Sequence, residues 1–103
     1  MKQYTTTEQT AKLIELGFEK PKSIIYASAY QEEEGAEPDV EYEYAYSIGE
    51  LIEMLNRVDD EKLEICRDCG FWLVGTDLYC VPCRDLIDAL YDIVTLLKEK
   101  RVI

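Results

Sequence analysis

Leu86, Ile87, Leu90, Ile93, Val94 and Leu97 recur every three or four positions, the spacing of one apolar helix face. Asp85 and Asp88 stand at the positive end of that helix's dipole, and Lys98, Lys100 and Arg101 at its negative end. A stripe this apolar needs a layer to cover it, and the chain supplies one immediately upstream. Residues 62–66, 71–75 and 78–81 are three short β-prone runs, separated by Asp68-Cys69-Gly70 and Gly75-Thr76-Asp77. Such spacing predicts an antiparallel meander against which the last helix packs.

The first half adds local signals. Thr5-Thr6-Thr7-Glu8-Gln9 holds two overlapping capping boxes, Thr5 with Glu8 and Thr6 with Gln9, ahead of Ala11, Leu13, Ile14 and Leu16. A short helix starts there and stops at Gly17, a left-handed cap with Phe18 folding back and Pro21 barring continuation. Residues 24–30 read as extended, and residues 31–39, rich in Glu with Gly35 and Pro38, as an exposed acidic loop. Val40, Tyr42, Tyr44 and Tyr46 then alternate with Glu41, Glu43 and Ala45, the period of a half-buried strand or of an ordered extended arm. The tyrosines of such a strand are expected to pack in a core, or else to line a partner groove. Ser47-Ile48-Gly49-Glu50 is a further capping box, with Tyr46 and Leu51 placed as a hydrophobic staple. The helix it opens presents Leu51, Ile52 and Leu55 and ends in the polar stretch 56–61.

A chain of 103 residues has room for one core. The expected fold is α+β: two short N-terminal helices, a three-stranded antiparallel meander and a long C-terminal helix packed on one core. Residues 1–103 form a single domain in this reading, with the acidic loop at 31–39.

Twenty-two acidic residues against eleven basic ones leave a formal charge of −11, and no Lys or Arg occurs within residues 23–56. Nucleic-acid backbones and anionic membranes both select for Lys and Arg, so neither is an expected partner, whereas a basic protein is. The opening Met1-Lys2-Gln3 runs straight into a helix start without an apolar leader or spanning segment, so the expected compartment is the cytoplasm.

Cysteines there stay reduced, which turns attention to metals. Cys66-Arg67-Asp68-Cys69 and Cys80-Val81-Pro82-Cys83 are two C-x-x-C pairs with ten residues between them, the spacing of a zinc ribbon. Gly70 permits the turn that brings backbone amides near the sulfurs of a knuckle. A structural Zn²⁺ held by Cys66, Cys69, Cys80 and Cys83 is therefore the expected cofactor. Plain core or surface thiols, or iron or dithiol redox chemistry, are the alternatives. One obstacle is geometric: a flat three-stranded sheet holds outer-strand cysteines roughly 9–10 Å apart, so the knuckles must curl inward.

Catalytic sets are absent. The sequence contains no histidine to serve as a base for a cysteine, and no phosphate-binding glycine loop or H-E-x-x-H motif. The acidic stretch lacks the spaced ligands of a calcium loop. The chain thus reads as a non-enzymatic accessory or protein-interaction domain. Its rivals are an acidic nucleic-acid mimic inhibiting a DNA-handling enzyme and a thiol redox protein.

The strings TTEQTAKLIELGFEKPKS, AYSIGELIEML and RDLIDALYDIVTLLKEK resemble a family of small uncharacterised acidic proteins of gut bacteria, associated with phage or mobile elements. The resemblance spans nearly the whole chain and implies a compact α+β domain of a bacterial cytoplasm, without any site residue. It also implies an ordinary hairpin where this chain has residues 66–83, which makes the zinc an added stabiliser and not the function.

Overall fold

The structure, a computed structural model, describes residues 3–30, 34, 35, 37, 39–55, 63–76, 79–101 and 103. The order is α1 (Thr7–Glu15), β1 (Ser23–Tyr30), β2 (Asp39–Ala45), α2 (Ile48–Leu55), β3 (Glu64–Asp68), β4 (Phe71–Gly75), β5 (Cys80–Cys83) and α3 (Leu86–Glu99). The described residues make an α+β fold with three helices and two antiparallel sheets, a ribbon β1-β2 and a meander β3-β4-β5. No helix among the described residues is long and apolar enough to cross a membrane.

Of the two overlapping boxes at the N-terminus, the chain uses Thr6 with Gln9: each side chain bonds the other's backbone N–H, at 3.2 and 2.9 Å. Thr5 is left free for another task. Its hydroxyl is buried, 2.7 Å from that of Thr10, and accepts the Tyr46 N–H at 3.0 Å. The far end of α1 closes as expected. Gly17, at φ +99°, donates to Ile14 O and Phe18 to Leu13 O, the paired bonds of a Schellman cap.

Ser47 and Glu50 exchange the reciprocal bonds of their capping box at 3.2 Å each, and the staple residues Tyr46 and Leu51 are both fully buried. Leu51, Met54 and Leu55 form the buried face of α2, with Ile52 at its margin. The polar stretch expected to end this helix lies outside the described residues.

Helix α3 buries Ile87, Ala89, Leu90, Ile93, Val94 and Leu97 against α2, β4 and β5. Leu13, Phe18, Tyr46 and Val74 join them in one hydrophobic cluster. Asp85 occupies the N-cap of α3, but its side chain makes no capping hydrogen bond. Only its charge then acts on the helix, so Asp85→Ala is expected to cost about 0.3–1 kcal/mol in a urea titration, less at high salt.

The meander is antiparallel, with its first and last strands each displaced two residues toward the C-terminus, β3 running Glu64–Asp68 where 62–66 was expected and β5 Cys80–Cys83 where 78–81 was. Cys83 therefore closes the last strand where it was expected to lie beyond it. Strand β2 begins at Asp39, inside the expected loop; of that loop Glu34, Gly35 and Glu37 are described, and all three are exposed.

The larger departure is the second sheet. Strands β1 and β2 pair with each other from Ser23↔Ala45 to Tyr30↔Asp39, with a bulge at Ile25, and no third strand joins them among the described residues. The expectation that Tyr42 and Tyr44 pack in a core is corrected accordingly: they are 52% and 44% exposed, whereas Tyr46 is 1% exposed. Alternation sets one face of a strand, but the ribbon leaves the body before any layer covers that face. The radius of gyration, 16.8 Å, and the longest extent, 59 Å, reflect this projection, since a compact chain of this length has a radius of about 13 Å.

Candidate interaction surface

The register sorts the ribbon into two unlike faces. Cross-strand partners share a face, so Ile24 with Tyr44 and Ala27 with Tyr42 make an apolar, aromatic side. Tyr26 with Glu43 and Ser28 with Glu41 make a polar, acidic side. The rings of Tyr42 and Tyr44 lie 6.3 Å apart at an interplanar angle of 50°, the tilted arrangement of an aromatic pair. Ile24 and Tyr26 are 51% and 61% exposed. At the foot of the apolar side Ile14, Pro21 and Tyr44, with Thr10 and Lys20, line an open recess of about 290 Å³.

The ribbon's root is held firmly. One carboxylate of Glu50 receives the Lys22 N–H at 3.1 Å and the Ser23 hydroxyl from the start of β1, and the Ser47 N–H just after the end of β2. Tyr46 adds a second tie, its hydroxyl donating to the carbonyl of Glu19. These bonds join the two strand ends to the N-terminus of α2, so the arm has a fixed point of departure.

Burial pushes the Glu50 carboxyl up, but the hydrogen bonds from Ser23, Lys22 and Ser47 outweigh it and hold the group below its ordinary 4.5. A carboxyl lowered on folding contributes stability above its unfolded value and loses that contribution as pH falls through the folded one. The urea midpoint is therefore expected to fall more steeply below about pH 4.5 for the wild type than for Glu50→Gln. Parallel acid limbs for the two proteins would remove Glu50 from this role.

All four cysteines belong to the meander, but its register spreads them out. Cys66 lies opposite Leu73 in β3, Cys80 opposite Gly75 at the start of β5, and Cys83 opposite Trp72 at its end. Cys69 sits in the two-residue turn between β3 and β4. Cys80 and Cys83 thus run along an extended strand, about 10 Å apart at the α-carbons, not around a knuckle. A tetrahedral ion needs its sulfurs within about 4 Å of one another, since each lies roughly 2.3 Å from the metal. This register does not fit one such ion. Among the described residues no three Cys, Asp or Glu side chains are close enough to share a cation.

Nor can Cys80 and Cys83 close a disulfide while β5 is intact, because bridged α-carbons lie within about 7 Å. Cys83 donates instead to Asp92 at 3.3 Å. Burial, with the carboxylates of Asp92, Asp88 and Asp85 on or beside α3, pushes its thiol up to about 11. A reactive thiol needs the opposite environment.

Cys69 has φ +50° and is followed by Gly70 at +81°, the two left-handed residues of a type I′ hairpin turn. Asparagine suits the first position and cysteine does not, so Cys69→Asn is expected to stabilise the chain by about 1 kcal/mol in chemical denaturation. If Cys69 ligates a metal, the same substitution lowers the stability of metal-loaded protein, which makes it a two-way readout.

Spacing along the chain draws attention to the cysteines, and the alternation of Tyr42, Tyr44 and Tyr46 points to a core or else to a partner groove. The ribbon's two-faced surface was present in the same alternation, but its exposure depends on what stands above it, which no local pattern carries. No family model matches the chain, and neither a curated protein nor a solved structure resembles it significantly.

Proposed function

We propose that this chain is a non-enzymatic protein-interaction domain whose β1-β2 ribbon is the contact element. The observation that carries the reading is the uncovered aromatic side of the ribbon, Ile24, Tyr42 and Tyr44, held at a root fixed by Glu50 and Tyr46. An isolated two-stranded ribbon is marginal in water, and exposed aromatic patches mark binding surfaces. The experiment compares proteins captured from lysate of a gut-bacterial host, the source that the family resemblance suggests. Wild type is set against Tyr42→Ser/Tyr44→Ser, with Ile65→Ser on β3 as control. A protein retained by wild type and control but lost by the ribbon variant, at unchanged melting temperature, supports the reading; equal capture by all three overturns it.

The two C-x-x-C pairs within one small sheet support a second reading, a structural Zn²⁺ on Cys66, Cys69, Cys80 and Cys83 added to this role. It requires β5 to give up its extended pairing at Cys80. Elemental analysis under reducing conditions tests it, about one zinc per chain being the expected stoichiometry and four reactive thiols without metal the result against it. The placement of Glu41 and Glu43 in one row supports the nucleic-acid mimic as a rival, and inhibition of a DNA-handling enzyme relieved by excess duplex would favour it.

A further inference from the structure

Strand β2, Asp-Val-Glu-Tyr-Glu-Tyr-Ala, alternates acidic with apolar residues from Asp39 to Tyr44. Among the described residues no strand pairs with its outer edge. Tyr46 turns both backbone groups toward Thr5, its N–H donating to the Thr5 hydroxyl and its carbonyl accepting from the Thr5 N–H at 2.9 Å. By the two-residue repeat of a strand, the amides and carbonyls of Tyr44 and Tyr42 face the same way, away from β1. Tyr4 bridges Ser47 beside them; from Thr6 the chain turns into α1, whose Thr7 hydroxyl donates to the Glu43 carboxylate at 3.2 Å, and no strand among the described residues pairs with β2 beyond that point. Natural edges are guarded by charged side chains, Pro, bulges or short length; here the guard on β2 is carboxylate alone, since neither β1 nor β2 contains a Lys, Arg or Pro, and carboxylates repel acidic strands but not basic ones.

We propose that this edge of β2 receives an extended segment of a partner protein in which apolar residues alternate with lysine or arginine. The inference rests on the interaction reading above and specifies what the arm takes. An added strand lies about 4.8 Å from β2 and sends successive side chains to opposite faces. One set falls beside Tyr42 and Tyr44, which favours apolar residues. The other falls on the side of Glu41 and Glu43, the latter also accepting from the Thr7 hydroxyl, and these carboxylates favour lysine or arginine there. Backbone bonds supply affinity and the alternation supplies register, as in other strand additions.

A second copy fits less well. In the register that keeps like faces together, it sets Glu41 and Glu43 against carboxylates of the other copy, and each chain brings a charge of −11. Stacking the apolar faces of two ribbons covers only about 500 Å² in total, roughly 23 by 10 Å on each, short of the ~1,000 Å² of a stable interface.

The test uses three capped synthetic nonapeptides and the whole chain: alternating Lys and Val, the same composition in blocks, and alternating Glu and Val. Titration is followed by calorimetry and by amide exchange in NMR. The alternating Lys peptide is expected to bind saturably, to protect the Tyr42 and Tyr44 amides from exchange, and to weaken with added salt. Glu41→Lys/Glu43→Lys should lose roughly tenfold in affinity for it, at unchanged melting temperature, and gain affinity for the alternating Glu peptide. Equal binding of the block peptide, or binding that leaves Tyr42 and Tyr44 unprotected, overturns the proposal. Self-association in sedimentation that protects these amides without any peptide also overturns it, by giving the edge to a second copy. If the peptides fail while Tyr42→Ser/Tyr44→Ser still releases a captured host protein, the interaction domain stands and strand addition falls.

Discussion

Tyr46→Ala is expected to cost about 3–5 kcal/mol, and Tyr42→Ala and Tyr44→Ala less than about 1 kcal/mol each, in urea denaturation. The three tyrosines stand two residues apart in one alternating run. Tyr46 is fully buried among Leu51, Leu13 and the α3 cluster, donates its hydroxyl to Glu19 O, and exchanges backbone bonds with Thr5. Burial first, and then the nearby Glu50 carboxylate, raise its phenol above 10, so it remains a neutral donor at ordinary pH. Truncation removes the ring, leaves a cavity and cuts the tie at the ribbon root. Tyr46→Phe keeps the ring and should lose only about 1 kcal/mol. A domain of this size has about 5–15 kcal/mol in all, so Tyr46→Ala approaches the threshold of folding. Similar losses at all three positions would mean that the ribbon packs against the body and is no arm.

The same three residues show where sequence reading reaches its limit. Both capping boxes in use, Thr6 with Gln9 and Ser47 with Glu50, are set by side chains reaching backbone three residues away, so they are legible locally. The meander is legible because short turns join its strands, and α3 because its stripe repeats for 14 residues. Pairing β1 with β2 is not, since it depends on residues on either side of an acidic loop and on a bulge at Ile25 that shifts the register. The cysteines differ: C-x-x-C spacing counts residues along the chain, whereas their separation depends on whether those residues turn or extend. In β5 they extend, and Cys80 and Cys83 fall at the two ends of one strand. Period two shows the two faces of β2, and only the exposure left at Tyr42 and Tyr44 makes one of them a surface.

Gly75→Ala is expected to cost about 2–4 kcal/mol, although it adds a single methyl group. Gly75 is buried at the end of β4 and pairs with Glu64 on one side and Cys80 on the other. A β-carbon there would strike the carbonyl oxygen of Tyr79 and lie 2.8 Å from the α-carbon of Cys80, both of them backbone atoms that cannot rotate aside. Tyr79 O is already engaged, accepting from Thr76 N–H at 2.7 Å, and the Tyr79 N–H returns to the Thr76 hydroxyl at 3.3 Å. Relieving the clash must therefore displace the β4-β5 connection and open the start of β5, where glycine marks the close approach of two backbones. Cys80, already exposed, would lose its strand pairing, so its alkylation rate should rise while that of Cys66 stays constant. Serine at position 75 should fail as alanine does, because any β-carbon meets the same backbone. If Gly75→Ala unfolds at the wild-type urea concentration with unchanged Cys80 reactivity, then β5 does not approach β4 in this register. The separation of Cys80 from Cys83 along an extended β5, and with it the geometric case against a shared ion, would then lapse.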